Sequence, residues 1–265
     1  MMSRMMRRMT SRWAHAMCLA GLAATLVSAC GSGPIDAVGL APGGLSMGLV
    51  AHWTFDEGAD SAVHDSSGKG HDGTIDGAGW SWLSQGRFGG ALHLEQGDAV
   101  TVDNFPNATE SWTVSAWVQV ASKNVGMGLA TLISTEDLYH GGWEMNLSAL
   151  PTDLQYDFGY WTGPGPYDYS AYYACTNCMR PDRWQHVAAV VDGAATTLSF
   201  YLDGVLQDRH QVPRGISPGV STLSMGRWAT TDPARLLAGS LDDIAIWSRP
   251  LVSAEIALLT QSPVK

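Results

Sequence analysis

The sequence predicts an all-β protein in which two antiparallel sheets pack face to face. Short runs rich in β-branched and aromatic residues recur along the chain, and such runs are typical of strands that pack against one another. The chain has 30 glycines and 12 prolines in 265 residues, and they separate the runs at the short intervals expected of a sandwich with many turns. Helical patterns are almost absent.

The run at residues 112–120 is the strongest strand candidate. Trp112, Val114 and Ala116 share one face of a strand there, while Thr113 and Trp117 share the other, so burial of both faces predicts a central strand. The other runs have the same composition. The predicted strands span residues 49–55, 91–94, 99–102, 112–120, 129–134, 143–147, 154–160, 184–191, 197–202, 221–226 and 241–247.

Two local signals refine this pattern. Asp203-Gly204 lies between two apolar runs and suits the positive φ angles of a tight hairpin turn. After Pro250, the segment Ser253-Ala-Glu-Ile-Ala-Leu-Leu predicts a short C-terminal helical turn that Ser253 caps.

The front of the chain predicts export and a lipid anchor. Four arginines precede an apolar stretch at residues 13–29, which ends in Val27-Ser-Ala-Cys30. Small residues before a cysteine suit a signal peptidase, and Cys30 would then carry the lipid; the alternatives are an ordinary secretory peptide and a short membrane helix. The predicted organisation is a signal peptide at 1–29, a lipidated cysteine and flexible tether at 30–48, and one domain at 49–262.

Charge narrows the classes of partner. The chain has 15 basic and 25 acidic residues, for a formal net charge of −10. Because the four arginines lie in the predicted signal peptide, its removal would leave 11 basic residues and a net charge of −14. An acidic surface repels phosphates, so nucleic acid is excluded as a partner, and cations, neutral sugars or basic protein patches are favoured.

Seven motifs follow one another along the chain in a distinctive order. They are Trp53-Thr-Phe-Asp-Glu-Gly, Asp65-Ser-Ser-Gly-Lys-Gly-His-Asp-Gly-Thr, Arg87-Phe-Gly-Gly-Ala-Leu-His-Leu, Trp112-Thr-Val-Ser-Ala-Trp-Val, Trp184-Gln-His-Val-Ala, Phe200-Tyr-Leu-Asp-Gly and Gly239-Ser-Leu-Asp-Asp-Ile-Ala-Ile-Trp. With these motifs the chain resembles the LamG-like jelly-roll family of the concanavalin A-like lectin/glucanase superfamily over residues 49–260, which implies a jelly-roll sandwich. That superfamily holds both hydrolases and binding modules, so the fold does not settle function.

The resemblance also implies a structural calcium where the first and last strands meet. Asp56, Asp65 and Asp242 are the candidate ligands, and calcium accepts carboxylates together with backbone carbonyls from irregular loops. The alternative is that Asp65 forms an Asx turn and Asp242 caps a strand edge.

Cys175 and Cys178 are the cysteines that remain in the predicted domain, and they form a Cys-x-x-Cys pair. In an exported protein this pair favours a local disulfide. Metal binding and redox chemistry are the alternatives, but zinc needs further ligands and the redox motif needs a βαβ setting.

The sequence favours a protein that is not an enzyme. Retaining β-glucanases of the resembled superfamily carry Glu-x-Asp-x-Glu on one strand, whereas Glu144 lies in Trp-Glu-Met-Asn-Leu and lacks the alternating acids. His186 lies within an apolar run and is interpreted as a hydrogen-bonded core histidine.

The aromatic segment at residues 156–173 is the candidate binding site. Aromatic rings stack on sugars and carboxylates accept hydroxyl hydrogen bonds, although rings that alternate inward would instead fill the core, and a protein-contact surface is a third interpretation. We expect a non-catalytic, lipid-anchored envelope protein that binds a glycan or a protein; a hydrolase or lyase with carboxylates from different strands, and a structural component without a ligand, are the alternatives. The candidate ligand-binding residues are Tyr156, Tyr160, Trp161, Tyr167, Asp168 and Tyr169.

Overall fold

The computed structural model describes residues 43–107, 110–124, 128–135, 141–150, 153–161, 169–175, 178–212, 219, 221–228 and 235–264. The chain divides into two units, Met1–Val38 and Gly39–Lys265, and the described residues all belong to the second. Cys30 and the predicted signal peptide lie outside them. No helix among the described residues is long and apolar enough to cross a membrane.

Strands dominate the described part of the chain, which contains sixteen strands and one α-helix, α1 (Ser253–Leu259). Their bounds are β1 (Leu49–Trp53), β2 (Ala62–Val63), β3 (Gly73–Asp76), β4 (Ser81–Leu83), β5 (Ala91–Leu94), β6 (Ala99–Val102), β7 (Trp112–Val120), β8 (Gly128–Ser134), β9 (Trp143–Leu150), β10 (Asp153–Trp161), β11 (Tyr169–Tyr173), β12 (Trp184–Asp192), β13 (Thr197–Leu202), β14 (Val205–Gln211), β15 (Leu223–Met225) and β16 (Gly239–Trp247).

These strands form two antiparallel sheets of eight strands each within the described residues. The first sheet has the order β14-β13-β12-β7-β16-β5-β4, and β1 also pairs with β16. The second sheet has the order β11-β10-β9-β8-β15-β6-β3-β2. Strands distant in the sequence are neighbours in both sheets, and the two sheets pack as a sandwich, which confirms the predicted fold class.

The space between the sheets is filled by alternate side chains of each strand. Val114, Ala116 and Val118 of β7 are buried there with Met145 and Leu147 of β9. Aromatic rings contribute the largest buried side chains of this core. Among them are Trp53, Trp112, Trp143, Tyr156, Phe158 and Phe200.

The outer face of the first sheet is also covered. Ile256 and Leu259 of α1 pack with Tyr201 and Trp247 in a second apolar cluster. The indole Nε1 of Trp117 donates to the carbonyl of Leu259 over 3.2 Å. Both faces of β7 are therefore buried, as the sequence predicts.

The predicted strands all have counterparts in the structure, but two local expectations need correction. Five strands, β2, β3, β4, β11 and β14, were not among those predicted; several are short or lie at a sheet edge. Ser253 is the first helical residue of α1 and its Oγ lies 3.0 Å from the Tyr201 hydroxyl. The Glu255 carboxylate instead accepts the backbone N–H of Val252 over 3.0 Å, and this stabilises the start of the helix.

Candidate functional site

The aromatic residues of β10 lie inside the sandwich. Tyr156 and Tyr160 are 0% and 1% exposed, and the Tyr156 hydroxyl donates to the carbonyl of Tyr201 over 2.6 Å. Their assignment as ligand-binding residues is therefore wrong, because side chains at alternate positions of a strand share one face and this face is the core. Trp161 ends β10 and Tyr169 begins β11, but their side chains, with Tyr167 and Asp168, lie outside the described residues.

The opposite face of β9 and β10 carries polar side chains in place of aromatic ones. Glu144 and Asn146 alternate with the core residues of β9, and Asp157 alternates with those of β10. Thr131 of β8 joins them through its hydroxyl, which donates to Asn146 Oδ1 over 2.8 Å. We call this set, together with Arg235 and Trp228, the outer cluster.

Hydrogen bonds connect the outer cluster from strand to strand. Asn146 Nδ2 donates to Asp157 Oδ1 over 3.1 Å. Arg235 donates to both carboxylate oxygens of Glu144, over 3.1 and 2.8 Å. The Arg235 guanidinium also stacks 4.0 Å from the centre of the Trp228 ring, which is a favourable cation–π distance.

Burial makes the carboxylates of the outer cluster electrostatically unusual. Glu144 is 0% and Asp157 2% exposed, and Asp157 Oδ2 has no hydrogen-bond partner among the described residues. Desolvation, assisted by the nearby Glu144 charge, raises the pKa of Asp157 to about 7, although the Asn146 hydrogen bond and Arg235 lower it. Perturbed carboxyl groups of this kind concentrate at functional sites. The side chain of Arg235 is 24% exposed and connects the cluster to solvent.

A second acidic site lies where the first and last strands meet. The pairing register of β16 shifts between Asp242 and Ala245, and Asp243 has a φ of 45°. Such a bulge redirects side chains, so Asp242 and Asp243 both point away from the space between the two sheets, although both are buried. Asp243 Oδ1 lies 2.6 Å from His52 Nε2 of β1.

Asp56 and Asp242 hold the same loop at residues 86–90. Asp242 Oδ2 accepts the backbone N–H groups of Arg87 and Phe88 over 2.6 and 2.8 Å, and Asp56 Oδ1 accepts that of Gly90 over 2.6 Å. A Cβ on Gly89 would overlap Asp56 Oδ1, and the residue has a φ of 80°. Glycine is therefore required where the loop approaches the carboxylate.

The Asp56 and Asp242 pair has features that fit a calcium ion. Asp242 Oδ1 is buried without a partner among the described residues. Desolvation is the main reason that the pKa of Asp242 is raised to about 7. The two backbone N–H donors lower this pKa, and the negative charges of Asp243 and Asp56 raise it further. A hard cation would stabilise the ionised pair, and loop carbonyls would have to complete its shell.

Asp65 has a different role. Its Oδ1 accepts the N–H groups of His52 and Ser67 over 3.0 and 2.9 Å, and its Oδ2 accepts that of His71 over 3.0 Å. Burial raises the pKa of Asp65, but these hydrogen bonds outweigh it and the pKa is lowered. Among the described residues no three His, Cys, Asp or Glu side chains form a metal-binding group. The three predicted ligands are thus not assembled into one set, and Asp65 makes the Asx-turn contacts of the alternative interpretation.

The remaining sequence-predicted residues are local features. Cys175 and Cys178 form a disulfide that closes a loop after β11. His186 is fully buried, and its Nε2 lies 2.8 Å from Ser115 Oγ. Burial lowers its pKa to about 3, so this histidine stays neutral inside the protein.

Comparison with known proteins places this architecture in a family. A family model described as the concanavalin A-like lectin/glucanases superfamily matches residues 94–257. The chain belongs to this superfamily. The match covers β6 to β16 of this concanavalin A-like domain, so both the outer cluster and Asp242 lie within it.

Solved structures that are similar to this chain include binding domains of toxins. The binding domain of Paraclostridial Mosquitocidal Protein 1 is 16% identical, with a TM-score of 0.62, and the match covers 82% of this chain and 52% of that one. The botulinum neurotoxin serotype G binding domain is 14% identical, with a TM-score of 0.61, and coverage of 80% and 50%. The present chain therefore spans about half the length of these toxin binding domains.

A third similar structure is matched over nearly its whole length. Domain 4 of AbnA, a GH43 extracellular arabinanase from Geobacillus stearothermophilus, is 21% identical, with a TM-score of 0.57, and the match covers 80% of this chain and 98% of that domain. That structure is a complex with arabinotriose. No curated protein gives a significant match.

Proposed function

We propose that this protein is a non-catalytic binding domain that recognises a carbohydrate through the outer cluster of the second sheet. The observation that carries the proposal is the buried carboxyl of Asp157, which has an unpartnered oxygen beside Asn146 and Glu144. A carboxyl with a pKa of about 7 both donates and accepts hydrogen bonds near neutral pH, as sugar hydroxyls require. The arabinotriose complex of the similar arabinanase domain supports a saccharide as the ligand.

Arg235 and Trp228 supply the accessible border of this site. Arg235 is fixed between the Glu144 carboxylate and the Trp228 ring, so it presents hydrogen-bond donors in a rigid geometry. Preorganised donors bind with little loss of side-chain entropy. Trp161 and Tyr167 remain predicted contacts, and a protein ligand at the same face is the alternative partner.

A hydrolase is the second candidate function, and the placement of the two acids favours it. Asn146 pairs with Asp157 and Glu144 pairs with Gly159, so Glu144 and Asp157 are diagonal neighbours on one face of the sheet. Glycosidases likewise place two carboxyl groups beside each other, one on each side of the scissile bond. Against this function, Arg235 occupies both oxygens of Glu144, which leaves it a poor general base.

A glycan-array screen of the protein and its Glu144→Gln and Asp157→Asn variants tests both candidates, with turnover of each bound polysaccharide followed as new reducing ends. The control is Asp103→Asn, which changes an exposed carboxylate outside the cluster. Binding that is lost in both cluster variants, without turnover in the wild type, supports the binding domain. Turnover that both variants abolish supports the hydrolase. Binding that survives both substitutions overturns the site.

We further propose a structural calcium on Asp56 and Asp242 and a lipid anchor on Cys30. Calcium, when bound, would supply positive charge between the end of β1 and the bulge of β16, and the two carboxylates would orient the loop at residues 86–90 around it. The lipid anchor rests on the sequence before Cys30 and would place the domain on the cell envelope. Mass measurement of the mature N-terminus, with Cys30→Ser as control, tests the anchor.

A further inference from the structure

A cavity of about 310 Å³ opens on the outer face of the first sheet, away from the outer cluster of the second sheet. The cavity is lined on one side by residues of β12, β13 and β14, and on the other side by the segment before α1. Its size lies at the lower limit of small-molecule sites. The cavity therefore suits a ligand of about one sugar ring.

Most side chains that line this cavity from the sheet are polar, and most of those from the segment before α1 are apolar. Thr197, Ser199 and Tyr201 line it from β13, since their neighbours in the strand point into the core. The Tyr201 hydroxyl lies 3.0 Å from Ser253 Oγ. Leu251 and its neighbours of the segment before α1 form the apolar side. Several rotatable hydroxyls opposite an apolar wall match a pyranose, which has hydroxyl edges and apolar faces.

An arginine and an aspartate, Arg209 and Asp192, line the same cavity, and hydrogen bonds fix the position of each side chain. Arg209 Nε donates to Ser199 Oγ over 2.9 Å. Asp192 Oδ1 accepts the N–H groups of Ala194 and Ala195, both over 3.0 Å. Both residues are described, and they form no ion pair with each other. A fixed guanidinium is thus available to a ligand carboxylate, and a fixed carboxylate to ligand hydroxyls.

We propose that this cavity binds one acidic sugar residue of the hexuronate class. Arg209 holds its carboxylate, Asp192 and the β13 hydroxyls hold its ring hydroxyls, and Leu251 packs against its apolar face. This site is separate from the outer cluster and does not depend on it. Because the chain has a net charge of −10, its general field repels a uronate, so the affinity has to come from the local Arg209 contact.

Calorimetric or NMR titration of the protein with D-glucuronate, D-glucose and acetate tests this assignment. We expect glucuronate to bind at least about tenfold more tightly than either of the others, because only glucuronate uses the guanidinium and the hydroxyls together. Arg209→Gln removes the charge and is expected to lower glucuronate affinity by about tenfold, to the level of glucose.

A matched variant keeps the result interpretable. Arg183→Gln removes the same charge from an exposed arginine that does not line the cavity, and it should leave glucuronate binding unchanged. The proposal is overturned if glucose or acetate binds as tightly as glucuronate. It is equally overturned if Arg209→Gln retains wild-type affinity, or if Arg183→Gln loses as much.

Discussion

Replacing Asp157 by asparagine should stabilise the protein at alkaline pH and leave it unchanged at acid pH. Asparagine keeps the shape of the side chain and the acceptor for Asn146 Nδ2, but it never ionises. In the wild type, the carboxyl lies at 2% exposure beside Glu144, with one unpartnered oxygen. Ionisation of Asp157 in the folded protein is therefore unfavourable.

The magnitude follows from the two pKa values. The folded-state pKa of Asp157 is about 7 against 3.8 for an unperturbed carboxyl, so the folded protein retains a proton that the unfolded chain releases between these values. The free energy of unfolding of the wild type consequently falls as the pH rises from about 4 to 7. Three pKa units correspond to about 4 kcal/mol, which is the expected upper limit of the gain from Asp157→Asn above pH 7.

Urea unfolding of the wild type and Asp157→Asn at intervals from pH 3 to pH 8 measures this difference. We expect the two free energies of unfolding to agree below about pH 4 and to diverge as the pH rises to about 7, with the variant the more stable. Asp103→Asn, at an exposed position, controls for the loss of one negative charge. Parallel pH profiles for the wild type and Asp157→Asn would refute the reasoning, as would an equal gain in Asp103→Asn.

Three further outcomes are expected. Calcium at a hundredfold excess over its Kd should raise the free energy of unfolding of the wild type by about 2.7 kcal/mol, and it should not stabilise Asp242→Asn. Melting curves recorded with calcium and with a chelator test this, and identical curves would show that the ion does not bind. Tyr156→Phe should cost about 1–2 kcal/mol in guanidinium unfolding, because the buried carbonyl of Tyr201 loses its 2.6 Å hydrogen bond; a variant as stable as the wild type would contradict that. His186 has a folded-state pKa of about 3, so between pH 6.5 and pH 3 this histidine takes up a proton only in the unfolded chain. The free energy of unfolding should therefore fall by up to about 1.4 kcal/mol for each pH unit below 6.5. His186→Gln should reduce this dependence on pH, and an unchanged dependence in the variant would rule out the histidine as its cause.

The fold was predictable because local pattern and strand position agree along most of the chain. β7 alternates bulky residues on both faces, and the structure buries both. The Asp203-Gly204 turn was likewise visible, and Asp203 and Gly204 have φ values of 49° and 80°. The short strand β2 pairs only two residues with β3, too few to leave a sequence pattern.

The candidate site was less predictable because it depends on register. The alternation of Tyr156 and Tyr160 with Asp157 shows that two faces differ, but sequence does not say which face meets the other sheet. Glu144 lacks a second acid on its own strand, and its partner carboxyl lies on β10, reached only through the pairing of Glu144 with Gly159. The signal that could have found the site is an acid flanked by apolar or aromatic residues in each of two adjacent strands, Glu144 in β9 and Asp157 in β10.

The position of β16 sets the order in which this protein can fold. β16 is the last of the strands among the described residues, and yet it lies inside the first sheet, between β7 on one side and β5 and β1 on the other. Until residues 239–247 have been synthesised, β7 and β1 have unpaired edges and the sheet is divided. A nascent or truncated chain that stops before Gly239 therefore exposes strand edges and apolar surface together, and closing such a distant contact is slow. The first sheet is therefore complete only once residues 239–247 have joined it.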